Sequence, residues 1–109
     1  MTERGIVRLE KEKIRPGKFY SVGYLPVLKK YVMAVGVVSG LSIFERHFVI
    51  SKEEYELFEK KVKKLDSMAW VFIWQGKTSD RFLFSGRRKE NTLEQHKLRE
   101  RVVAGIVDL

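Results

Sequence analysis

Glu45, Arg46 and His47 follow one another in the chain, and Arg87 and Arg88 form a basic pair further on. These are the parts of a small ribonuclease. A histidine and a carboxylate move protons, and arginines hold the phosphate while charge builds on it. If the segment is a strand, Glu45 and His47 share one face and Arg46 points to the other. That arrangement splits the set. The ribonuclease reading requires that His47→Ala abolish RNA cleavage while the fold persists. The same exposed residues (Glu45, His47, Arg87 and Arg88) serve equally as contacts for a protein partner, with no chemistry of their own.

Other chemistry finds few parts. The chain has two histidines, His47 and His96, and no cysteine, so no cluster has metal-ligand spacing. Ser39, Ser42, Ser79 and Ser85 fall in turns or at strand ends without a nucleophile motif. Gly23, Gly36 and Gly40 match no phosphate-binding fingerprint. The expectation is a chain that is not an enzyme, with no catalytic residue, no metal and no cofactor.

A second constellation joins Trp70, Phe72, Trp74, Phe82 and Phe84 to Arg81, Arg87, Arg88 and Lys89. Aromatics on a sheet can stack bases while Arg and Lys hold phosphate. This gives an alternative function, nucleic-acid binding through an aromatic hairpin over 69–85 and a basic loop over 86–91. Its contacts would be Trp74, Arg81, Arg87, Arg88 and Lys89. Alternate aromatics on a strand are more often the core itself, and no RNP-type aromatic pattern is present.

The elements that must position these residues are read from periodicity and punctuation. Residues 5–9 fit a short strand. Pro16-Gly17 marks a turn within the charged stretch 10–18. Residues 19–28 are apolar, but Gly23 and Pro26 make them an edge strand or a loop. Residues 31–50 form a hairpin turning at 39–42, with a first strand apolar on both faces and therefore central. Ser51 to Glu54 is a capping box with Ile50 and Tyr55 as its hydrophobic staple. The helix it starts runs over 51–66, burying Tyr55, Phe58, Val62 and Leu65. Its Lys/Glu run is a solvated face with pairs at i,i+4. Residues 69–85 read as a second hairpin. Asn91-x-x-Glu94 and Thr92-x-x-Gln95 offer overlapping caps for a helix over 93–104, with Leu98 and Val102 inward and Gly105 ending it. A closing strand over 102–109 is the alternative. The fold class is α+β, a mainly antiparallel sheet of two hairpins with two helices packed on one face, in a single domain over 1–109.

Composition agrees with that size of fold. The chain has 109 residues, 44% hydrophobic and 12% aromatic, too apolar for a disordered segment. The formal net charge is +8, which attracts nucleic acid, anionic lipid or an acidic protein. The excess lies at the two ends. Residues 31–68 are balanced, six basic against six acidic. Absence of cysteine and of an apolar stretch in Met1–Gly5 gives the cytoplasm as the expected location. The most apolar run, Tyr31 to Val38, is too short to span a bilayer, and no membrane partner is expected.

Two segments resemble pieces of small bacterial immunity proteins of contact-dependent inhibition. The first is Phe44 to Phe58, FERHFVISKEEYELF, where a strand ends at an Ile-Ser cap and a Glu-Glu-Tyr helix follows. The second is Asp80 to Gly86, DRFLFSG. Together they cover about a fifth of the chain. The resemblance implies a protein that neutralises a toxin domain by binding it, without catalysis. Immunity proteins against basic nuclease toxins tend to be acidic, since complementary charge steers association. A chain at +8 therefore needs a toxin with an acidic face, or a neutral patch in its own middle segment.

Overall fold

A charged stretch opens the described part of the chain, and it pairs as an edge. The computed structural model describes residues 7–105. Strand β1 (Glu10–Arg15) alternates acid and base, which blunts an exposed sheet edge. The strand expected at 5–9 is not formed over 7–9, and residues 5 and 6 lie outside the described residues.

Strand β2 (Tyr20–Leu25) is buried along nearly its whole length, between β1 and β3. It is an interior strand, neither edge nor loop. Pro26 falls just past its end. Gly23 is there because Leu9 crosses it: a Cβ at this position would lie 2.6 Å from the Leu9 Cβ. The glycine marks a close approach and does not weaken the strand.

Strands β3 (Lys30–Ser39) and β4 (Ser42–Ile50) form the expected hairpin, turning at Gly40, whose φ is 60°. β3 is the central strand. Helix α1 (Lys52–Lys60) starts at the Ser51–Glu54 capping box, with both reciprocal bonds made. The chain breaks at Lys61 and continues as helix α2 (Val62–Gln75).

The second hairpin is thus corrected. Residues 69–75 are helix, and only β5 (Phe82–Ser85) is strand, joined to β4 antiparallel. The alternation of Trp70, Phe72 and Trp74 suggested period two. Leu65, Ala69 and Phe72 repeat at helical spacing and are the residues actually buried. β5 is short, and Asn91 occupies its free edge. The Ser85 N–H donates to Asn91 Oδ1 at 2.7 Å, and Asn91 Nδ2 donates to the Ser85 carbonyl at 2.9 Å.

Helix α3 (Leu93–Ala104) uses Thr92 and Gln95 as its box and ends at left-handed Gly105. Residues 102–104 are helical, so they do not start a closing strand; 106–109 lie outside the described residues.

The result is an α+β fold on one five-stranded antiparallel sheet in the order β1-β2-β3-β4-β5. The helices cover both faces, where one covered face was expected. On the first face α1 and α2 pack Tyr55, Leu65, Ala69 and Phe72 against Val22, Met33, Val35 and Phe48. Phe72 stacks on Phe48 with ring centroids 4.4 Å apart. On the second face α3 brings Leu98 and Val102 to Leu25, Val32 and Phe84, together with Val7 and Leu9. Side chains on both faces of β3 are buried, as its two-sided apolar sequence requires.

Candidate functional site

Strand alternation puts Ile14, Ser21, Gly36, Val38, Ile43, Glu45 and His47 on the second face, since paired residues share a face. The core built by α3 takes in only part of that face. Among the described residues the rest stays open. Ile14, Phe19, Val38, Leu41 and Ile43 are all exposed there or at the hairpin tip, Phe19 by 71% and Ile43 by 78%. Phe19 is held by backbone: its φ is 57° and its carbonyl accepts from the Gly36 N–H at 2.8 Å. A Cβ built on Gly36 would lie 3.3 Å from the Phe19 carbonyl oxygen, so the small residue eases the close approach of the two backbones. A groove of about 420 Å³ results, lined by Glu12, Ile14, Phe19, Gly36, Ile43 and Glu45, among others.

Two carboxylates flank this apolar floor. Partial burial of its half-exposed side chain pushes the Glu45 carboxyl up, the charge of Glu12 adds to it, and Arg99 opposes. Arg15 also lines the groove but is engaged elsewhere. It donates twice to Asp66 at 3.0 Å, while the Tyr20 hydroxyl donates to the same carboxylate at 2.6 Å. These bonds, Arg15 first, hold Asp66 down at about 2. Nothing in the sequence joined these three residues, which lie far apart in the chain and meet only when α2 crosses β1 and β2.

The expected contact residues separate. Glu45 is exposed at the groove. His47 is 1% exposed beneath the surface, which removes it from any contact set. Its Nε2 lies 3.8 Å from Glu45 Oε1, and neither ring nitrogen is hydrogen-bonded among the described residues. Burial, then the charge of Arg99, push it down to about 3. A neutral, enclosed imidazole cannot shuttle protons to a substrate at neutral pH. Arg46 points to the opposite face, as its register requires, and is closed by Glu90 in two bonds of 2.9 and 2.6 Å. Arg87 is half-buried over the Phe44 ring. Arg88 and Lys89 are exposed in a 3-10 turn.

The aromatic set also separates. Phe72 and Phe84 are core, on opposite faces of the sheet. Trp74 is exposed on a helix, and Arg81 pairs with Glu54 at 2.6 Å. Trp70, Phe72 and Trp74 lie on a helix and Phe82 and Phe84 on β5, so the set does not form one stacking platform of strand aromatics. Among the described residues no group of three or more His, Asp or Glu could hold a metal ion. No described helix is long and apolar enough to cross a membrane. No protein-family model, curated protein or solved structure matches the chain.

Proposed function

We propose that this chain is a binding protein of the immunity type, which neutralises a toxin domain by occupying its surface and performs no catalysis. The observation that supports it is the open half of the second sheet face. Contiguous exposed apolar side chains on a small domain mark an interaction site. Here Ile14, Phe19, Val38 and Ile43 surround a groove with a carboxylate, Glu12 or Glu45, close by. Large apolar anchors with a polar rim are the anatomy of a protein interface.

The groove also eases the charge difficulty. The chain carries +8 overall, yet Glu12 and Glu45 face the groove, Glu45 partly offset by Arg99, while Arg15, the arginine among the described lining residues, is bound to Asp66. A basic toxin segment would meet local acid there, and complementarity at the contact governs steering and register. Contact residues under this reading are Glu45, Ile43, Phe19 and Glu12.

Gel filtration with any toxin domain that genome sequencing finds encoded beside the gene tests the reading. Co-elution of the pair is expected, and its loss in Ile43→Asp. A pair that never co-elutes would sink it.

A further inference from the structure

The last two turns of α2 are apolar on every side. Leu65, Ala69 and Phe72 face the core. Trp70, Val71, Ile73 and Trp74 are exposed by 63, 46, 42 and 72%. Trp70 and Trp74 lie one turn apart, their rings 6.2 Å between centroids. Lys63, Ser67, Trp70 and Trp74 recur at i, i+4, i+7 and i+11, so one exposed line runs along the helix, turned away from the sheet. Lys64 and Lys77 are exposed beside it. The single acidic residue of α2, Asp66, is closed by Arg15 and Tyr20. The face therefore offers indole rings, aliphatic side chains and cations; the carboxylate of α2 is neutralised, and of the two that flank Val71, Glu54 is paired with Arg81 and Asp80 lies beside that arginine.

We propose that this face of α2 docks on the surface of an anionic lipid bilayer. Trp70 and Trp74 would sit at headgroup level, and Lys63, Lys64 and Lys77 against the phosphates. Tryptophan favours that boundary because its ring is apolar and its N–H is polar. Lysines beside an apolar helix face add attraction to anionic headgroups. No membrane partner was expected, because no segment is long enough to span. Surface docking needs no span.

The other occupants fit less well. A second copy packed through the same face would bring the lysines of both chains together. A nucleic-acid strand gains little from Val71 and Ile73. The Trp70 and Trp74 rings are inclined at 43°, which does not form the parallel slot a base would enter.

The chain's two tryptophans are both on this face, so intrinsic fluorescence reports on it directly. The probes are vesicles of pure phosphatidylcholine and of an equimolar mixture with phosphatidylglycerol. The expected result is a blue shift and co-sedimentation with the mixed vesicles alone, weakening between about 50 and about 200 mM salt as screening sets in. Lys63→Ala and Lys64→Ala should each weaken binding by about fivefold, the equivalent of about 1 kcal/mol per cation at the surface. Trp70→Ala with Trp74→Ala should abolish co-sedimentation while circular dichroism stays unchanged. No blue shift, or equal binding to both vesicles, would overturn the proposal. So would a blue shift produced by protein concentration alone, or by RNA in place of lipid. The docking face lies across the sheet from the groove, so this test and that of the toxin complex can fail separately.

Discussion

Asp66 and His47 are both shifted downward, and for opposite reasons. Asp66 is stabilised as an anion by Arg15 and Tyr20. Its folded value of about 2 lies below the ordinary 3.8, so the unfolded chain takes up its proton first. The stability it contributes is complete above about pH 4 and is lost as pH falls from 3.8 toward 2. Asp66→Asn should lower the urea midpoint at pH 7 and leave it unchanged near pH 2. Equal loss at both pH values would mean that the ion pair contributes nothing.

His47 resists protonation because it is buried with no hydrogen-bond partner among the described residues. Its folded value of about 3 lies below the ordinary 6.5, so above 6.5 it is neutral in both states and has no proton-linked effect, whereas as pH falls from 6.5 to 3 the unfolded chain takes up the proton and stability is lost. Its ring already lies 5.0 Å from that of Phe84, an apolar setting. His47→Phe should therefore be neutral or stabilising at pH 7, since it removes two unbonded polar atoms. It should also flatten the fall in stability between pH 6.5 and pH 3. A clear loss of stability at pH 7 would show that the imidazole has a partner.

At the scale of elements, α2 carries the largest difference between sequence and structure. On a strand, Trp70, Phe72 and Trp74 would share one environment. On the helix, Phe72 lies under the sheet and Trp74 faces outward. Phe72→Ala should cost about 3–5 kcal/mol, as truncation of a core aromatic does. Trp74→Ala should cost less than about 0.5 kcal/mol, the range of surface changes. Chemical denaturation of the two variants checks both, and comparable losses would restore the hairpin. Gly23→Ala should cost about 1–3 kcal/mol, because its Cβ meets that of Leu9 at 2.6 Å.

Local signals were the legible ones. Ser51–Glu54, Thr92–Gln95 and Gly105 set helix ends by chemistry within four residues, and the structure uses each of them. The β3–β4 hairpin was legible because its turn and its β-branched strands lie together. The helix over 69–75 was not, since a run of large apolar residues satisfies both periods until its neighbours show which face is covered. β2 misread for a similar reason. Gly23 and Pro26 argue against a strand locally, and only Leu9 and the strand ends explain them. Of the site, Glu45 was legible as an exposed strand residue. The groove was not, because Glu12, Phe19 and Ile43 meet through sheet register and the left-handed turn at Phe19. The burial of His47 also depends on β5 and α3, which come much later in the chain.

At the scale of the whole molecule, charge and surface divide the work. The charge of +8 sets solubility and long-range attraction and does not specify a partner. Specificity must come from shape and apolar area. The sheet is covered by two helices on one side and by one helix on the other, which leaves the open groove. It is there that the proposed toxin contact is most exposed to test. The most direct measurement is calorimetric titration of a toxin domain, taken from any found encoded beside the gene, against the wild-type chain and against Ile43→Asp. The account predicts a one-to-one complex, with affinity reduced about a hundredfold by the substitution, the effect of losing a central apolar anchor. Equal affinity for both chains, or no heat of binding with the wild type, would contradict it.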